Sequence, residues 1–123
     1  MTLLDRLMSR VAIVRGTDPP DMTVRAMEMV DAAKAVSAGK PLLIKPNYID
    51  ASHPSTGITT DARVIEGVVA FLKKRDMKEI IIGEGTGMGD TLDAFKVGGA
   101  STMLQEDGKY AWSTSTKTNL YIL

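Results

Sequence analysis

The chain has 123 residues, of which 44% are hydrophobic, and its 15 basic side chains balance 15 acidic ones. That is enough for one domain with one core, and the charge balance argues against a nucleic-acid binder, which would normally show a basic face, while leaving room for a small local patch. Cysteine is absent, which excludes disulfides, thiolate zinc sites, cysteine nucleophiles and cysteine-ligated iron–sulfur clusters within the chain.

Residues 1–10 place Leu3, Leu4, Leu7 and Met8 around Asp5 and Arg6. This amphipathic leader reads as a short surface helix rather than a secretory signal, with partner docking as the alternative. No apolar stretch is long enough to cross a bilayer, so a cytoplasmic protein is expected. Val11–Arg15 is the first expected strand, apolar throughout until Arg15, as suits a strand covered on both faces. Pro19 and Pro20 then break regular pairing. Asp21 is expected to cap a helix over Met22–Ala38, with Ala26, Met29, Val30, Ala33 and Val36 as its buried stripe. Gly39 ends it.

Leu42–Lys45 reads as the second strand, stopped by Pro46. Asn47–Thr60 is a long loop, of a length usually reserved for function or mobility. Asp61–Arg75 carries the clearest helical pattern, with Val64, Ile65, Val68, Val69 and Leu72 on one face and Thr60 as its cap. Gly67 is expected to let this helix sit close to the sheet. Lys78–Glu84 is the third strand, and Thr91–Val97 a short helix with Leu92 and Phe95 inward. The alternation predicts an α/β domain over residues 11–100. It would be three-layered and Rossmann-like, with a short, mostly parallel sheet and helices on both faces. Residues 101–123 are expected to be an irregular or hairpin tail, with Asp107-Gly108 turning Thr102–Glu106 into Lys109–Ser113. An edge strand and disorder are both open for its end.

A parallel sheet gathers the strand ends Arg15, Lys45 and Glu84 at one edge, where open α/β sheets bind ligands. Two helix N-termini point the same way, near Thr60 and near Asp90, and their free N–H groups favour an anion. The candidate ligand-binding residues are therefore Lys45, Asn47, Thr59, Thr60, Gly83, Glu84, Gly85 and Thr86. The plain alternative is a Lys45–Glu84 strand-end ion pair with threonines that only cap.

Gly83, Gly85, Gly87 and Gly89 alternate through the third turn. The dinucleotide pattern G-x-G-x-x-G fails, because Met88 or Asp90 stands at its last position. The P-loop fails for want of a lysine after the last glycine. Glu84 and Asp90 instead suit a divalent metal or a hydroxylated ligand, against the alternative of a simple strand-to-helix turn. His53, the single histidine, is a general-base candidate without a demonstrated partner, and otherwise a solvated loop residue.

Ile44-Lys45-Pro46-Asn47, Gly57-Ile58-Thr59-Thr60-Asp61-Ala62-Arg63-Val64-Ile65-Glu66, Glu79-Ile80-Ile81-Ile82-Gly83-Glu84-Gly85 and Ala94-Phe95-Lys96-Val97-Gly98-Gly99 together resemble the N-terminal half of the domain of unknown function 362 family, over about residues 10–100. The resemblance implies a prokaryotic protein with redox associations, since members often carry iron–sulfur modules. It singles out Lys45, Asn47, Thr59, Thr60, Asp61, Gly83 and Glu84. Family members continue into a second half with a Pro-Lys-x-Lys-Thr-His element, which this chain lacks. The expected partners are thus a second copy of the chain or a missing C-terminal half. Two functions follow. The first is a ligand-binding domain, associated with a redox system, that holds a small anion or a divalent metal at the strand ends. The second is a non-catalytic interaction or scaffold module, a truncated half-domain. Neither names a reaction.

Overall fold

The computed structural model describes residues 9–37, 39–77 and 79–101, and the backbone of 119–122. Helix α1 (Pro19–Met29) is opened by Asp18, whose carboxylate accepts the Asp21 N–H. Pro19 and Pro20 occupy the first helical positions, where a missing N–H breaks no helical bond. The expected start at Met22 is therefore late, and Asp18 rather than Asp21 is the cap. The helix also ends early. Asp31 adopts a left-handed φ of 57°, and a separate 3₁₀ turn follows at Ala32–Ala35. The Asp31 carboxylate accepts from Arg10 at 2.7 Å and Lys34 at 2.8 Å, which ties the segment before α1 to this bend.

Strand β1 (Leu42–Ile44) and strand β2 (Ile80–Glu84) pair in parallel, with Leu42 opposite Ile80 and Ile44 opposite Ile82. Helix α2 (Ala62–Lys73) forms the crossover between them. Strand β3 (Asn119–Ile122) lies antiparallel along the other side of β2, giving the order β1-β2-β3. Helix α3 (Thr91–Val97) is capped by Asp90 and seals the core with Ala94 and Phe95. The architecture is α/β, with three α-helices among the described residues. None of these is long and apolar enough to cross a membrane.

Packing decides which predicted faces are buried. Ile65, Val69 and Leu72 of α2 meet Ile80 and Ile82 of β2, as its periodicity requires. Phe71, off that stripe, is also fully buried, and Val64 is exposed. The reason is a second neighbour. A Cβ on Gly67 would lie 2.6 Å from Thr23 Cβ and 2.7 Å from the Pro20 carbonyl oxygen. Gly67 therefore admits α1, not the sheet, to the surface of α2. Tyr48, inside the polar loop, is buried edge-on against Phe95 with ring centroids 5.0 Å apart.

Val11–Arg15 is not a strand. Val11 and Ile13 are 83% and 87% exposed, with Ala12 and Val14 half-buried between them. The segment leans on the molecule by one side, and no described strand lies beside it to complete a ladder. Arg15 therefore does not join the strand ends. On the sheet, Leu43 is 58% exposed, so no described helix covers that position of the second face. The expected leader at 1–8 and the hairpin at 102–113 lie outside the described residues.

Candidate functional site

Lys45 follows β1 directly and Glu84 closes β2, so parallel pairing brings them side by side. Lys45 Nζ donates to Glu84 Oε2 at 2.7 Å, and Gly85 N–H donates to Oε1 at 2.8 Å. The carboxylate is 5% exposed and the lysine side chain 65%. A buried carboxylate is tolerated when both oxygens are satisfied. The ammonium has three donors and gives one to Glu84. The strand-end ion pair thus exists, and its positive partner still faces solvent.

The loop after β1 closes on itself. Asn47 N–H donates to Thr60 Oγ1 at 2.9 Å, Thr60 N–H donates back to the Asn47 carbonyl at 3.1 Å, and Asn47 Nδ2 donates to the Ile58 carbonyl at 3.0 Å. Thr60 is spent on this clasp, so the cap of α2 falls to Asp61, which accepts the Arg63 N–H at 2.9 Å. The hydrogen bond from the Arg63 side chain holds the Asp61 carboxyl below the usual aspartate range, and Asp61 in turn raises Arg63. Thr59 is 6% exposed, and its Oγ1 is buried without a hydrogen-bond partner among the described residues.

The glycine-rich turn is held from within and from outside. Thr86 N–H donates to Thr91 Oγ1 at 3.2 Å, and the two threonine hydroxyls lie 3.0 Å apart. Gly83 is buried inside β2, while Gly85 is exposed at its mouth. Met88 N–H donates to the Ile49 carbonyl at 3.0 Å, stitching the two strand-end loops together. Gly89 has a left-handed φ of 83°, a conformation that suits glycine there. Asp90 accepts from Leu92 N–H and Asp93 N–H. The two carboxylates weighed as metal ligands are therefore engaged separately, Glu84 by Lys45 and Gly85, Asp90 by its helix. Among the described residues no group of three or more His, Cys, Asp or Glu stands ready for a metal.

His53 caps the 3₁₀ turn Pro54–Thr56, its Nδ1 accepting Ser55 N–H at 3.2 Å. The iron–sulfur group suggested by the resemblance finds no fit, because the chain has no thiolate to offer. Two contributors escaped the sequence pattern. Tyr48 anchors the β1 loop in the core, and the Ile49 carbonyl receives the glycine turn. Their apolar side chains in an otherwise polar loop were the available signal.

Residues 42–119, more than half of the chain, match the model of a family described as Domain of unknown function (DUF362). The match begins with β1, leaving Val11–Arg15 outside it, and runs past residue 100 to the first residue of β3. No curated protein and no solved structure matches.

Proposed function

The chain belongs to the family described as Domain of unknown function (DUF362), and from that premise we propose that its strand-end rim binds a small anionic ligand. The observation that carries this is the asymmetry of the Lys45–Glu84 pair. A buried carboxylate fixes an ammonium that is 65% exposed, at the carboxyl ends of two adjacent parallel strands. Held from below, the ammonium costs little entropy to orient toward a ligand. Gly85 and Thr86 directly follow Glu84 at the end of β2, and the Asn47–Thr60 bond stiffens the loop that follows Lys45. The buried Thr59 hydroxyl has no hydrogen-bond partner among the described residues, so it is a donor still open to a water or a ligand group.

Calorimetric titration with inorganic phosphate tests this. Lys45→Ala should weaken binding at least about tenfold, the value of one charge-assisted contact. Glu84→Gln should weaken it less, by releasing the ammonium from its fixed position. Unchanged affinity in both variants would remove the proposal.

A second reading has its own observation. β1 has a strand neighbour on one side only among the described residues, and Leu43, Val11 and Ile13 are exposed near the start of the chain and on the sheet. An unpaired edge strand favours pairing with a second copy of the chain. Native mass spectrometry checks it, with a dimer at micromolar concentration expected and monomer alone counting against it.

A further inference from the structure

We propose a second anion site, separate from the rim, in which Arg63 and His53 take the carboxylate or phosphate group of a small molecule. The cavity has a volume of about 410 Å³ and lies between the 53–55 turn, the first turn of α2 and the end of α3. That size falls within the range of small-molecule pockets.

Arg63 is built for the task. Asp61 takes one edge of its guanidinium, receiving Nε at 3.0 Å and Nη2 at 2.7 Å. This contact orients the planar group and leaves the adjacent end-on edge, one N–H each from Nη1 and Nη2, for a ligand. That edge matches two oxygens of a carboxylate or phosphate, as a lysine could not. The side chain is more than half exposed, so the edge is reachable. Asp61 is the sole carboxylate among the residues lining the cavity, and Arg63 already engages it.

His53 adds a donor without needing a charge. Its Nδ1 accepts the Ser55 N–H and lies 2.9 Å from Ser55 Oγ. In the neutral ring the proton is therefore assigned to Nε2, which can donate to an anion. Pro54 and Val97 supply apolar wall for the carbon part of a ligand. Gly99 lets the walls meet. Its φ is 85°, and a Cβ there would come 3.3 Å from Ala62 Cβ.

The test is a ¹H–¹⁵N correlation titration of the full chain with inorganic phosphate and, separately, with succinate, using sodium chloride as the ionic-strength control. Saturable shifts are expected at the amides of Ser55, Arg63 and Gly99 with at least one of the two probes, and the tighter probe identifies the group. Arg63→Gln should weaken this binding at least about tenfold, and Arg63→Lys should not restore it. His53→Ala should weaken it several-fold. Lys45→Ala should leave it unchanged, which separates this site from the rim, so either can fail alone. The proposal is overturned if neither probe gives saturable shifts beyond those of chloride. It is equally overturned if Arg63→Lys binds as tightly as the native chain, an outcome readable even if Arg63→Gln misfolds.

Discussion

Val11–Arg15 and Ile80–Glu84 are both short aliphatic runs that end in a charged residue, yet the molecule treats them oppositely. Ile82 is fully buried between two neighbouring strands, while Ile13 is 87% exposed with no described strand beside it. A strand is a relation and not a property of its own residues. The backbone of Ile80–Glu84 has β1 on one edge and β3 on the other, and α2 lays its apolar stripe over Ile80 and Ile82. Val11–Arg15 is also aliphatic up to its charged end and has no partner strand among the described residues. The same contrast governs the charged ends. Glu84 is fixed by Lys45 across the parallel pair, whereas Arg15 takes part in no ion pair among the described residues.

This contrast breaks most visibly in the core. Ile82→Ala should destabilise the fold by about 3–5 kcal/mol through lost burial and a residual cavity, measured by urea denaturation. Gly67→Ala comes next. Alanine is the better helix former by about 1 kcal/mol, but its Cβ would press on Thr23 and the Pro20 carbonyl. The clash should prevail, with a net loss of about 1–2 kcal/mol, because backbone cannot retreat as a side chain can. A smaller effect appears in acid. The Asp61 carboxyl is held low by Arg63, so its stabilising contribution is fully present above the ordinary aspartate value. It fades as the pH falls toward the lowered folded-state value and is lost below it. Asp61→Asn should flatten that part of the stability profile, and an unchanged profile would deny the capping pair any role. The smallest effect belongs to Ile13→Ser, which should change the stability of the monomer by no more than about 0.5 kcal/mol. A loss comparable with that of Ile82→Ala would show that the two runs are alike after all.

Much of the scaffold was legible because its signals are local. The four-residue steps of α2, the short helix α3 after the glycines and the isoleucine run of β2 each need only their neighbours in sequence. The convergence of Lys45 and Glu84 was legible too, because parallel pairing follows from the alternation of elements. What escaped depends on distant contacts. Gly67 looked like room for the sheet, and α1 fills that room. Thr60 is a good cap by type, but the closing of its loop gives its hydroxyl to Asn47 and leaves Asp61 to do the capping. Val11–Arg15 carries no mark of its missing partner, and Asn119–Ile122 carries none of the β2 edge that receives it.

The rim proposal is tested most directly by a crystal of the chain grown or soaked in inorganic phosphate. The expected result is anion density within hydrogen-bond distance of Lys45 Nζ, with the Lys45–Glu84 contact retained near its 2.7 Å. Lys45 and Glu84 found apart, or an open rim that stays empty while phosphate binds elsewhere, would contradict it.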